Sequence, residues 1–390
     1  MVGRTPGRAR LRDGGLTLVE LMVTIVAAAL VSAATFSFFA GQQRIYEIQG
    51  RVLDVQQSLW ASMDVVTRYA RAAGVGMLDC IREDSDEGGP DIGDPPPGGD
   101  LPPQTGIRAY RAGIGLTRIA PLWIQNGQNG APDTLTVAYG RRASGNFVDS
   151  RLGAPINQDQ PTSPVITWAG ETPRFWPNDF ILLVDGGQAN RDRGCTLLQI
   201  TNIDPATNTL SHGAQSPWNP GENVPGLVPF TYDGGESDST GGIRTFGELV
   251  WVQLAVDRSG GPDAPPRLTM DRLNDGDPPQ TLAAGIEDMQ ISYACDTGPG
   301  GFPNGNLDEG TDDATRLGDE WIFNQAGDAV VPGCLQPDAI RITLIARTVA
   351  PDPLLADLVD NAKPAAEDGA PGAGDQFRHR TLTVTVRRRN

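Results

Sequence analysis

The longest apolar pattern in the chain is an unbroken run from Leu16 to Ala40, in which Glu20 is the one charged residue. A run of this length, at a rise of about 1.5 Å per residue, can cross the hydrocarbon core of a bilayer as a helix. A carboxylate at membrane depth costs about 2.5–3.5 kcal/mol on insertion scales, so such a residue usually serves a function. The pattern therefore predicts a transmembrane helix over 16–40, with Glu20 as its functional residue.

A second helical pattern follows directly, because apolar residues recur every three or four positions among polar ones. They form a single stripe: Ile45, Ile48, Val52, Val55, Leu59, Met63, Val66 and Tyr69. This spacing predicts an amphipathic continuation of the helix over 41–76, with Gly74 and Gly76 as its stop. We expect the stripe to pack against the core of a globular domain.

From residue 77 to the end, the pattern changes to short β-branched segments with alternating burial, separated by loops rich in Gly, Pro, Asn and Asp. The predicted strands are Thr134–Tyr139, Phe180–Val184, Thr196–Thr201, Leu249–Val256, Met289–Tyr293, Ile340–Ala346 and Thr381–Val386. The predicted long loops are 82–105, 203–240, 296–320 and 350–376. The chain is therefore expected to have an α+β fold, in which an antiparallel β-sheet domain (77–390) packs on the second half of the helix.

Charge and motif content narrow the function. The net charge of −17 excludes a generic electrostatic nucleic-acid binder, which would need a basic face. No hydrolase, zinc-protease, nucleotide-binding or dinucleotide-binding motif is present, and with two histidines we expect no enzyme activity and no cofactor. Glu287 and Asp288 are expected to be solvated surface carboxylates, because a catalytic pair is much rarer than an exposed one.

Metal binding is not expected either. His212 and His379 are not near a cysteine in the sequence, so a zinc site is improbable. One acidic loop places oxygen donors at Asn306, Asp308 and Asp312, in a rhythm similar to that of calcium loops. It lacks the glycine and the final carboxylate of an EF-hand, so a solvated loop is the alternative to a weak calcium site.

The four cysteines are Cys80, Cys195, Cys295 and Cys334. In an exported chain an even number of cysteines implies disulfides, and four cysteines allow three connectivities. We favour Cys80–Cys195 with Cys295–Cys334, because each bridge then closes within one half of the chain. Four buried free thiols are the alternative.

The N-terminus allows three interpretations. Residues 1–15 form a basic leader that carries Arg4, Arg8, Arg10 and Arg12. Together with the small residues Val31-Ser32-Ala33, this leader fits a secretory signal peptide, whose mature chain would begin near Ala34. Glu20 weakens that interpretation, because a charge in the apolar region hinders insertion. A plain membrane anchor is the second interpretation, and it leaves Gly15 and Glu20 unexplained.

The third interpretation rests on the segment Gly15-Leu16-Thr17-Leu18-Val19-Glu20-Leu21-Met22-Val23, which resembles the processing motif of type IV prepilins. The resemblance implies that prepilin peptidase cuts after Gly15 and that Leu16, which stands where most members have Phe, becomes an N-methylated first residue. Glu20 is then the fifth residue of the mature chain. A glycine before the cut admits the backbone to a protease cleft, and Glu20 can pair with the α-amino group of a neighbouring subunit and so set the axial register.

Further segments resemble PilW-type minor pilins, in order along the chain: 71–74 with Cys80, 133–137, 179–185, 285–290, 339–344 and 380–386. The resemblance implies a minor pilin that supports pilus assembly, adhesion or twitching motility, with a position in a tip or initiation complex. It implies other minor pilins, the major pilin and a large tip adhesin as partners. The protein would lie in the inner membrane with its head in the periplasm before assembly, and in the extracellular pilus afterwards. A J-type minor pseudopilin of type II secretion is the nearest alternative, and a secreted enzyme or binding protein is the second.

Overall fold

The computed structural model describes residues 17–77, 80, 107–127, 130–143, 151–153, 156, 165–169, 175–184, 195–220, 224, 227–228, 232, 242–261, 264–294, 296, 307, 321–322, 337–352, 355, 362–366, 371–372 and 375–387. The chain divides into two compact units, with the boundary between Leu53 and Asp54. The first contains the apolar part of a long helix, and the second contains the end of that helix and the β-strands.

The helix, α1, covers Leu18–Ala72. It ends where the sequence predicts, because Gly74 and Gly76 both adopt positive φ angles of 77° and 84°. A Cβ added at Gly76 would lie 2.5 Å from the Cβ of Ala143, so glycine is needed there for close packing as well as for the turn.

The β-strands are β1 (Ile107–Arg111), β2 (Gly115–Ile119), β3 (Leu122–Gln125), β4 (Thr134–Arg141), β5 (Arg151–Leu152), β6 (Val165–Ala169), β7 (Phe180–Val184), β8 (Thr196–Gln199), β9 (Asn202–Asp204), β10 (Thr209–Ser211), β11 (Gly242–Asp257), β12 (Arg267–Arg272), β13 (Gln280–Ala284), β14 (Ile286–Ala294), β15 (Trp321–Ile322), β16 (Ala339–Arg347) and β17 (His379–Arg387). All seven predicted strands are present, as β4, β7, β8, β11, β14, β16 and β17. The predicted loop 203–240 is wrong in part, because β9 and β10 pair as an antiparallel hairpin within it. Loop 82–105 lies outside the described residues, as does most of loops 296–320 and 350–376.

The strands form three sheets instead of the single sheet expected. The largest sheet has the order β13-β12-β11-β7-β8-β1-β2, with β4 also paired to β11 and β3 to β4. The second sheet has the order β5-β6-β10-β9, and the third has β15-β14-β16-β17. Neighbouring strands pair antiparallel except β1 and β8.

The long strand β11 joins two groups of strands within the largest sheet. Its first residues pair with β7, and residues from Glu248 onward pair with β4. The register shifts between Thr245 and Gly247, and Gly247 has a positive φ of 76°. A Cβ at Gly247 would lie 2.1 Å from the carbonyl oxygen of Arg141, so the bulge requires glycine.

The main core of the second unit lies between the end of α1 and two of the sheets. Val55, Leu59, Met63, Val66 and Ala70 of the helix are buried against apolar residues of β3, β4, β11, β12, β14, β16 and β17. The C-terminal part of the predicted stripe is therefore a packing face, as expected. Ile45, at the beginning of that stripe, is 48% exposed.

One hydrogen-bonded carboxylate joins the large sheet to the third sheet. Asp133, which precedes β4, is 2% exposed, and its Oδ2 accepts a 2.7 Å hydrogen bond from the backbone N–H of Ile291 in β14. Its Oδ1 accepts another from the N–H of Gly127, at 2.9 Å. A buried carboxylate that accepts from one backbone N–H on each side ties the two sheets together.

Candidate functional site

The N-terminal end of α1 forms a reciprocal cap around Glu20. The Glu20 carboxylate accepts hydrogen bonds from the backbone N–H of Thr17, at 3.2 Å, and from its hydroxyl, at 3.3 Å. In return, the Thr17 Oγ1 accepts a hydrogen bond from the backbone N–H of Glu20, at 3.3 Å. This arrangement is a capping box, in which a threonine and a glutamate three residues later satisfy donors that the helix start leaves open.

The cap places the carboxylate where a negative charge is most favourable on a helix. The N-terminal end carries a partial positive charge from the aligned peptide dipoles, which stabilises an anion by about 0.3–1 kcal/mol. The same contacts direct Glu20 towards the chain start, where Leu16 is bonded to Thr17.

The helix between Leu18 and Phe39 exposes apolar side chains on all sides. Exposed fractions run from 52% for Leu21 to 75% for Phe36, and none of these side chains is buried. A helix that is apolar all around requires an apolar environment, either a bilayer or other helices. α1 is the one helix of the described residues with the length and composition to span a membrane, a property that signal sequences share.

Hydroxyl groups within this apolar stretch bond to their own helix. Thr24 donates to the carbonyl oxygens of Glu20 and Leu21, at 2.9 and 2.8 Å. Thr35 donates to the Val31 carbonyl at 2.8 Å, and Ser37 to the Ala34 carbonyl at 2.9 Å. Such internal bonds remove the need for water at these positions, as an apolar environment demands.

The predicted cysteine pairing is confirmed for the half of it that the structure describes. Cys80 and Cys195 form a disulfide, and both side chains are buried. The bridge joins the segment that follows α1 to β8. Cys295 and Cys334 lie outside the described residues, as do Gly15, Leu16 and the calcium candidates Asn306, Asp308 and Asp312.

The prediction for Asp288 is wrong. This carboxylate is fully buried in β14, forms an ion pair with Lys363 and lies 3.8 Å from Nη2 of Arg258. It also accepts a 3.0 Å hydrogen bond from the Gln290 amide. Burial is tolerated because cations and donors surround the charge, and Lys363 is too distant in sequence for a pattern to reveal it.

A second group of polar residues was also missed from the sequence. Glu287, Asp375 and His379 place one potential ligand atom each within 4.8 Å of one another. Asp375 and His379 are four residues apart, which is a weak signal, whereas Glu287 comes from a strand almost ninety residues earlier. The third sheet brings them together, because β14 and β17 both pair with β16.

No protein-family model, no curated protein and no solved structure matches this chain. The resemblance of residues 15–23 to prepilins therefore stays a prediction.

Proposed function

We propose that this chain is a minor pilin of the PilW type, made as a prepilin, processed after Gly15 and assembled through α1 into a type IV pilus. The observation that carries the proposal is the position of Glu20, held by Thr17 at the start of a helix that is apolar on all sides. In a simple anchor this carboxylate would serve only as a helix cap. An assembly helix uses it to choose one register with its neighbours.

The energetics give Glu20 two successive partners. Before processing, the Thr17 donors and the helix dipole offset part of the cost of a charge near the membrane. After cleavage, Leu16 carries a cationic α-amino group, and two buried opposite charges repay their desolvation only when they meet. If Glu20 pairs with the amino group of a neighbouring subunit, both charges are neutralised. The same pairing fixes the axial offset between the two helices.

The remaining parts of the chain fit the same function. The apolar surface of α1 suits a helix that moves from lipid into a bundle of similar helices. The β-rich second unit, cross-linked by Cys80–Cys195, suits a head that folds in an oxidising compartment such as the periplasm. Its partners would be prepilin peptidase, the major pilin, other minor pilins and a large tip adhesin.

Two alternatives share some of these features. A J-type minor pseudopilin would use the same cleaved helix for protein secretion. A secreted protein with a conventional signal peptide would lose the apolar helix on export and begin near Ala34.

Gene deletion combined with analysis of sheared surface filaments separates these functions. The proposal predicts that the chain, beginning at Leu16, is present in the pilus fraction, and that its deletion reduces piliation and twitching motility. Loss of protein secretion with normal pili would identify a pseudopilin. A soluble chain that is absent from filaments would contradict the proposal.

A further inference from the structure

Three side chains converge at the end of the third sheet. Nε2 of His379 lies 3.0 Å from Oε2 of Glu287 and 3.5 Å from Oδ2 of Asp375. All three ligand atoms lie within 4.8 Å of one another. Glu287 is in β14 and His379 begins β17, so the group spans β16, which lies between them.

The backbone holds this arrangement in place. On one side of β16, His379 of β17 pairs with Arg347. On the other side, Ile286 of β14 pairs with the adjacent residue, Ala346. The register shifts between Ile286 and Asp288, so Glu287 is the extra residue of a β-bulge. Bulges change the direction of a side chain, and this one places Glu287 beside His379.

His379 gives a second, independent observation that points to a ligand at this position. Its side chain is only 4% exposed, yet neither imidazole nitrogen has a hydrogen-bond partner among the described residues. Nε2 is close to Glu287 but without the angles of a hydrogen bond, and Oε2 of Glu287 is also buried without one. Buried polar atoms in proteins almost always have a hydrogen-bond partner or bind an ion, so a cation bound here would give these atoms the partner that they lack.

The distances fit the geometry of a small metal ion. Zinc binds histidine nitrogen and carboxylate oxygen at about 2.0–2.2 Å in a tetrahedron, which places adjacent ligand atoms about 3.3 Å apart. The two separations from His379 lie on either side of that value. The second oxygen of Asp375, Oδ1, accepts a 2.8 Å hydrogen bond from the N–H of Phe377, which orients the carboxylate as outer-shell contacts do in metal sites.

Two arginines, Arg347 and Arg258, lie near the three ligand atoms. Arg347 stacks on the ring of Phe377, at 3.8 Å, and Arg258 donates to the backbone carbonyl of Glu287. Both cations therefore have contacts outside the three ligand atoms, and two carboxylates balance a divalent ion.

We propose that Glu287, Asp375 and His379 bind one zinc ion, with a fourth position open to water or to a ligand atom from elsewhere. A mixed nitrogen and oxygen set favours zinc over calcium and magnesium, which prefer oxygen ligands alone. The ion would tie β14 to β17 across β16, and so brace the C-terminal strand. The proposal does not depend on the pilus function.

Zinc titration calorimetry of the full-length chain in detergent, purified without a histidine tag and stripped of metal, tests the site. We expect one zinc per chain, and excess calcium or magnesium should not displace it. The variants Asp375→Asn and His379→Gln should each bind zinc at least about tenfold more weakly. His212→Gln and Asp277→Asn, which change the other histidine and an exposed aspartate, should bind as the unchanged chain does.

Circular dichroism establishes that each variant is folded, and Asp375→Asn decides the outcome if His379→Gln does not fold. Asp375 is the safer change because its side chain is 32% exposed. Failure of the unchanged chain to take up zinc at millimolar concentration would overturn the proposal and leave His379 as an ion-pair partner of the two carboxylates. Unaltered zinc affinity in folded Asp375→Asn would also overturn it.

Discussion

The carboxylate of Glu20 accepts a hydrogen bond from the backbone N–H of Thr17, at 3.2 Å, within a reciprocal cap at the start of α1. This contact gives Glu20 a local role in addition to any role between subunits. Because glutamine forms the same cap without a charge, the two roles can be separated by mutation.

Glu20→Gln should be processed normally but should assemble as poorly as Glu20→Ala. Glutamine keeps the hydrogen bonds of the cap and removes the charge that pairs with a neighbouring amino group. The amount of pilus sheared from cells, measured beside the level of processed subunit in the membrane, checks this expectation.

Thr17→Ala is the matched control for the cap. It removes the hydroxyl that bonds to Glu20 and costs about 1 kcal/mol of helix stability, while leaving the charge in place. We expect near-normal piliation, because a long apolar helix in a membrane tolerates that loss. Normal piliation with Glu20→Gln and defective piliation with Thr17→Ala would show that Glu20 acts as a cap alone.

Gly15→Val should block removal of the leader, because a branched side chain beside the cut prevents the backbone from entering the protease cleft. The unprocessed chain would keep about 1.6 kDa, from 15 residues of a 390-residue chain of 41.4 kDa. Gel mobility and mass spectrometry with coexpressed prepilin peptidase measure this difference. The same substitution at Gly14 is the control, and cleavage of Gly15→Val at a normal rate would count against the processing site.

Removing the Cys80–Cys195 bridge should destabilise the second unit. The bridge closes a loop of 115 residues, and loss of a native disulfide typically costs about 2–5 kcal/mol. Urea unfolding of a Cys80→Ala, Cys195→Ala double variant, compared with the unchanged chain in the same detergent, measures the effect. Cys295→Ala with Cys334→Ala is the companion variant. A free energy of unfolding unaffected by the first pair would contradict the importance of this bridge.

Asp179 should make stability depend on pH in a recognisable way. Burial raises its pKa above the ordinary 3.8, although Arg142 opposes that shift, and Glu248 adds to it. The folded state therefore holds the proton more tightly than the unfolded state. The stability that Asp179 contributes is fully present below about pH 3.8 and is lost as the pH rises through its raised folded-state pKa.

Asp179→Asn cannot lose that proton and still offers an oxygen to Arg142, which donates to Oδ1 at 2.9 Å. Its free energy of unfolding should rise relative to the unchanged chain between pH 4 and pH 7. Urea unfolding at several pH values tests this. Asp277→Asn, which changes an exposed aspartate that has no part in the pKa shift of Asp179, provides the comparison. A constant difference between Asp179→Asn and the unchanged chain across that range would show that Asp179 does not titrate as described.

Much of the fold could be predicted from local patterns. The helix, its glycine stop and seven strands have strong signals, because apolar side chains recur at the period of each element. The missed strands have weaker signals. β13, for example, is partly exposed and polar at Gln280, and β12 mixes arginines with apolar residues. Division into three sheets could not be predicted, because it depends on which strands pair across long separations in sequence, which is a tertiary feature.

The candidate sites divide in the same way. Glu20 was found because a lone charge in an apolar run is visible in sequence. Asp288 and the group around His379 were missed because their partners are distant: Lys363 is 75 residues from Asp288. The surroundings of Asp288 and of His379 are both created when β14 and β17 pair with β16. The residue spacing within any one segment therefore cannot predict them.

The N-terminus of the mature protein tests the central claim most directly. The chain should be recovered from the membrane and from sheared pili of its native host, and its first peptide identified by tandem mass spectrometry. Our account predicts that this peptide begins with N-methylated Leu16, four residues before Glu20. A mature chain that begins near Ala34, or that retains residues 1–15, would contradict it.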